Sequence, residues 1–155
     1  PQAWGPTLRY PTKVKKTFVG IVCGTLCRKD DCMKNGLSRG EMENAIRHAI
    51  IKFEQEFMGR GPTDVRAFII QDIILIRLKG VLTPAERQLA KSDDGIGMVK
   101  QMRQNLIAQG REQLCRDIFE ITGAETTGLF TDIDTSIGER VIVFSCAQDL
   151  ESKFR

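Results

Sequence analysis

Two short runs of apolar, largely β-branched residues, Val65 to Ile70 and Ile73 to Leu78, are separated only by Gln71-Asp72. Two strands with a two-residue connection have one arrangement open to them, an antiparallel hairpin. Both side-chain parities are apolar in each run: Ile74 and Ile76 share one face, Ile73 and Leu75 the other. A strand with a solvated face alternates with polar residues instead, so both faces of this hairpin call for cover. Helices are expected to supply it on one side and a second subunit on the other.

The helices announce themselves by their starts. Ser38 followed by Glu41 has capping-box spacing, in which the serine oxygen takes the Glu41 N–H and the glutamate reaches back to the serine N–H. A helix is therefore predicted from Arg39. Met42, Ala45, Ile46, Ala49, Ile50, Phe53 and Phe57 then recur at helical spacing, and Gly59 ends the run. Thr83 and Glu86 repeat the capping logic around Pro84, whose missing N–H costs little at the first helical position. Asp93 and Asp94 suit the positive end of a further helical stretch carrying Val99, Met102, Leu106, Leu114, Ile118 and Ile121, as one long helix or two abutting ones. Gly110 is the expected bend and Gly123 the terminator.

A second hairpin is predicted from Thr126 to Ile133 and Arg140 to Cys146, around a turn at Asp134 to Gly138. The order is helix, β-hairpin, helices, β-hairpin, which makes an α+β fold with an antiparallel sheet packed against helices. The pattern begins abruptly at Leu37. Residues 1–36 form an N-terminal extension of uncertain structure, 37–149 the α+β domain, and 150–155 a C-terminal tail; Gln148 onward is expected to fray. With 155 residues, one domain plus tails is what the chain can bury.

Charge and cysteine usage narrow the function. Most of the net charge of +3 lies before Gly36, leaving the domain close to neutral, so a broad nucleic-acid footprint is not expected. Trp4, Tyr10 and Phe18 are too scattered to form a stacking platform. Thr17 to Leu26 follows three lysines and imitates a signal peptide, but it lacks a small-residue cleavage site and is about half the length of a spanning helix. The five cysteines are an odd set, which favours reduced thiols in the cytoplasm over a disulfide framework. Cys23, Cys27 and Cys32 lie close together without paired C-x2-C spacing or a fourth ligand, so no metal site is expected, and no cofactor. Cys115 and Cys146 sit on expected core faces as small hydrophobes.

Catalytic chemistry finds little footing. His48, the single histidine, neighbours the apolar stripe of the first helix, without a signalled nucleophile. Glu86, Asp93 and Asp94 are accounted for by helix-start electrostatics. The loop Gly59, Arg60, Gly61, Pro62 follows a helix instead of a strand and so is not a nucleotide cradle. It is a fixed backbone presenting one guanidinium, suited to anion recognition; a helix cap and turn with a solvated arginine is the plainer account.

Three stretches carry a family resemblance: Phe53 to Arg66 (FEQEFMGRGPTDVR), Ile76 to Ala90 (IRLKGVLTPAERQLA) and Thr131 to Phe144 (TDIDTSIGERVIVF). The chain resembles a bacterial family first described as a domain of unknown function and later named for the C component of a sodium-translocating membrane-potential-generating system. The resemblance implies a small cytoplasmic protein, peripheral to the inner face of the membrane, without established enzymatic activity and linked to cation or inorganic-carbon handling. It supplies no catalytic residues. The expectation that follows is a non-catalytic accessory or regulatory binding module, a homodimer, with an integral membrane transport complex as its partner and Gly59, Arg60, Gly61, Pro62 and Arg140 as binding residues. The alternative is a small enzyme or sensor binding an anionic ligand through Arg60 and Arg140.

Overall fold

The computed structural model describes residues 36–154, so Cys23, Cys27, Cys32 and nearly all of the N-terminal extension lie outside the described residues. Helix α1 (Arg39–Met58) starts at Ser38 with both arms of the capping box formed, the Ser38 N–H donating to Glu41 Oε2 at 2.8 Å. It stops at Gly59, whose φ of 71° is open to a residue without a Cβ. Strands β1 (Asp64–Ile70) and β2 (Ile73–Lys79) form the expected hairpin. Helix α2 (Pro84–Leu89) begins on the Thr83 and Glu86 box. Helix α3 (Asp93–Thr122) is capped by Ser92, and the second hairpin, β3 (Thr126–Asp134) and β4 (Glu139–Cys146), closes the domain.

The sheet is antiparallel with strand order β1-β2-β4-β3. Helices α1 and α3 pack on one face of it and on each other, α1 against β1 and α3 against β3. Val65, Ile69, Ile74, Ile76, Leu78, Ile142 and Phe144 fill the space between, all under 5% exposed. Among the described residues no helix lies over the opposite parity of the same strands. Phe68, Ile70, Ile73 and Val141 remain between 37% and 46% exposed there.

Three expectations change on contact with the structure. Helix α3 runs unbroken through Gly110. This glycine is a contact point and not a bend: a Cβ there would lie 2.3 Å from the Phe53 ring, which itself stacks on Phe57 at 4.4 Å between centroids. The buried stripe of α3 runs through Arg103 and Ile107, with Met102 exposed, so the apolar spacing misplaces one turn of the face. The C-terminal segment does not fray. Leu150 is fully buried, its N–H donates to Gln71 O at 2.8 Å, and Lys153 Nζ donates to Thr122 O at 2.7 Å.

Edge strand β1 is protected by α1. Arg39 donates to the outward carbonyl of Ile69, and the Ile69 N–H donates to Glu43 Oε1 at 3.0 Å. Both free ladder groups of that residue are therefore occupied, which removes a template for edge-to-edge pairing.

Candidate functional site

Charged groups cluster inside this fold. Glu54 on α1, Glu86 on α2, Arg103 on α3 and Arg140 on β4 are all buried, in a setting where an unpaired charge is very costly. The pairing is reciprocal. Arg103 Nε donates to Glu86 Oε1 at 2.8 Å, and its Nη2 donates to Glu86 Oε2 at 2.9 Å and to Val81 O at 2.6 Å. Arg140 Nη1 donates to Glu54 Oε1 at 3.1 Å, Nε to Thr131 Oγ1 at 3.0 Å, and Nη2 to the Arg103 carbonyl at 3.4 Å. The two pairs touch through Arg103 Nη1 and Glu54 Oε2, 3.8 Å apart; neither atom has a hydrogen-bond partner among the described residues.

The carboxylates feel this environment in opposite ways. Burial pushes Glu54 above its ordinary value, against the opposing pull of Arg140 and Arg103. Burial raises Glu86 as well, but hydrogen bonds from Arg103 and the Thr83 N–H outweigh it and leave the group below its ordinary value. Burial also depresses Arg140, with Glu54 working against that shift. Glu54 is enclosed at 1% exposure, and a water-sized niche edged by Lys100, Thr131 and Asp132 approaches the two arginines. The arrangement is a clamp that ties three helices to the sheet, with two positive and two negative groups in mutual compensation.

The loop residues singled out in the sequence lie at the surface nearby. Gly59 is the left-handed cap of α1, and Arg60 is exposed, with Nη1 donating to Leu82 O at 3.5 Å. Gly61 sits where a Cβ would press on the Gln55 side chain at 3.1 Å, and Pro62 carries the chain to Thr63, whose N–H donates to Lys79 O at 2.9 Å. Gly80 completes the frame: its φ is 63°, and a Cβ there would strike Thr63 Oγ1 at 2.4 Å. Arg60 and Arg140 share no partner. The first faces solvent, and the second is engaged with Glu54, Thr131 and the Arg103 carbonyl.

Glu54 and Arg103 were invisible as a pair in the sequence, because a charged residue on an apolar stripe reads as an interruption of it. His48 is exposed on α1. Burial pushes the Cys115 and Cys146 thiols up, away from the reactive thiolate form. Among the described residues, no three His, Cys, Asp or Glu side chains are grouped to hold a metal ion.

The family model described as "Na+-translocating membrane potential-generating system (MpsC)" matches residues 38–148. The chain belongs to this MpsC family. It is 40% identical over 114 residues to "Uncharacterized protein YbcI" of Bacillus subtilis (strain 168), an alignment covering 74% of this chain and 92% of that protein. "Uncharacterized protein YrhF" of the same organism is 30% identical over 98 residues, 61% of this chain and 80% of the relative. No solved structure matches. The stretch matched by the MpsC model holds all four clamp residues and the Gly59 to Thr63 loop, while Leu150 lies beyond it.

Proposed function

We propose that this MpsC-family chain is a non-catalytic accessory module of a membrane-potential-generating system, docking on that system's integral membrane components from the cytoplasmic side. The observation that carries this reading is the division of labour among its charges. The buried groups compensate one another, whereas Arg60 is held on a rigid frame and left facing solvent. A guanidinium on a pre-organised loop binds an anionic surface without a large ordering cost. Among the described residues no helix is long and apolar enough to cross a membrane, so work across the bilayer falls to a partner. Reading Arg60 and Arg140 as a joint anion site for an enzyme or sensor is less well supported, because Arg140 is already engaged.

Affinity purification of the full chain from native membranes tests this. Recovery of one defined integral membrane complex, reduced by Arg60→Glu in a variant of unchanged fold, is the expected result. A wild-type chain that recovers no membrane component sinks it.

A further inference from the structure

The sheet face opposite α1 and α3 carries a pattern that selects its occupant. Phe68 pairs across the sheet with Leu75, Leu75 with Val143, and Val143 with Phe130, so an apolar row crosses all four strands on this face. Ile70 and Ile73 flank it on the side of the hairpin turn. On the other side the row reads Arg66, Arg77, Val141, Asp132, with a cation at the β1 edge and an anion at the β3 edge. Arg77 is already neutralised by a bidentate contact with Glu139 at 2.7 to 2.9 Å. Among the described residues the ionic partners of the edge charges are loose, Asp64 at 3.5 Å from Arg66 and Lys100 at 3.8 Å from Asp132, in pairs too exposed to contribute much, although Asp132 Oδ1 also accepts the Ile133 N–H at 2.8 Å.

We propose that two copies of this chain pack these faces together about a two-fold axis running along the strands. That operation leaves each row at its own level and reverses strand order, placing β1 over the second copy's β3 and β2 over its β4. Phe68 then faces Phe130, Leu75 faces Val143, and Arg66 faces Asp132, twice by symmetry. A two-fold across the strands instead sets Arg66 over Ile70, stranding that charge on apolar surface and away from Asp132. Edge-to-edge association through β1 is opposed by the Arg39 and Glu43 contacts to Ile69. Four strands about 4.8 Å apart, each contributing three same-face residues about 6.6 Å apart, span on the order of 400 Å2 per copy. Patches of about that size are often functional contacts. Over both copies, with side-chain relief, it reaches the roughly 1,000 Å2 that specific association requires.

The pairing of Arg66 with Asp132 is a direct handle, because both side chains are exposed, at 67% and 78%, and neither belongs to the core. Sedimentation and native mass measurements on the full chain at micromolar concentration are expected to show a dimer. Arg66→Asp and Asp132→Arg, each folded by circular dichroism, should each weaken it about tenfold or more through two like-charge contacts. Mixing the two single variants should restore dimers that are predominantly mixed, because each copy then supplies the charge the other requires. A monomeric wild type overturns the proposal and means that residues preceding Gly36 or a different protein cover the face. A dimer indifferent to both substitutions, or a mixture that stays weak, overturns it as well. Membrane co-purification is read in a separate experiment, so a failure there leaves this mass measurement standing on its own.

Discussion

Arg103 and Glu86 meet through two hydrogen bonds of 2.8 and 2.9 Å, while the same Glu86 carboxylate accepts the Thr83 N–H at 2.7 Å. One side chain thus starts helix α2 and neutralises a guanidinium at the centre of the domain. Glu86→Gln removes the charge and keeps the shape, leaving the buried Arg103 cation with the Val81 carbonyl and a single carboxylate, Glu54, at 3.8 Å. Breaking a buried pair from one side costs about 3 to 5 kcal/mol. Urea titration at neutral pH should show a loss in that range; a loss under about 1 kcal/mol would mean that the clamp contributes little.

The caps separate local from tertiary effects. Thr83→Ala deletes an oxygen that accepts the Glu86 N–H at 3.2 Å and leaves the Arg103 contact in place. The expected loss is about 0.5 to 2 kcal/mol, smaller than that of Glu86→Gln. Ser38→Ala should move the midpoint in the same direction but less far, because water replaces the serine at an exposed helix start. An order in which Ser38→Ala costs most would contradict the burial of Glu86 and the partial burial of Thr83 at the start of α2.

The opposed shifts of the two glutamates give a pH signature. Glu54 is raised in the folded state, so its contribution is full below the ordinary value of 4.5 and is lost as pH rises through its folded value. Glu86 is lowered, so its contribution is present above 4.5 and is lost as pH falls through its folded value. Stability should therefore rise as pH drops from neutral toward 4.5 and fall below it. Glu54→Gln should abolish its share of the rise, and Glu86→Gln its share of the acid-side fall. Denaturation midpoints recorded from pH 7 to pH 3 decide it; parallel curves for wild type and both variants would refute the assignment.

Two glycines of α3 make opposite predictions. Alanine at Gly110 meets the Phe53 ring and should destabilise by about 1 to 3 kcal/mol through overpacking. Alanine at Gly97 meets nothing within 4 Å and should stabilise by up to about 1 kcal/mol from helix propensity alone. Thermal unfolding of the pair is the check. Stabilisation at Gly110 would show that α1 and α3 are not in the close contact described.

What the residues alone disclose and what they withhold divides along the range of the interaction. Ser38, Thr83, Gly59 and Gly123 are legible because caps and terminators act within four residues. The hairpins are legible because their strands are neighbours in sequence, those of the first being apolar at both parities. The adjacency of β2 and β4 is not, since it pairs Ile76 with Ile142 across two intervening helices. Arg140 reads from the sequence as an anion-binding group, but its partner Glu54 lies 86 residues away and carries no local mark. Arg103 was missed for a related reason: hydrophobic periodicity has no symbol for a buried cation, so the face of α3 was assigned to Met102.

The docked C-terminus supplies the sharpest departure from sequence expectation, and so the most direct test of the packing. Leu150 is fully buried, and its N–H is bonded to the carbonyl of Gln71, which holds the β1–β2 turn with a φ of 54°. A residue other than glycine at positive φ needs support from its surroundings. Lys153 donates to Thr122 at the C-terminal end of α3, where a cation is favoured, and Glu151 pairs with Arg39 on α1 at 3.0 Å. The segment therefore joins the hairpin turn to both long helices. Leu150→Ala should cost about 2 to 5 kcal/mol, as for other buried leucines, whereas a frayed tail would show no effect. Hydrogen exchange adds a local readout: the Leu150 amide should be protected in the wild type, and the variant should lose that protection. A Leu150→Ala chain with an unchanged midpoint would return residues 148–154 to solvent.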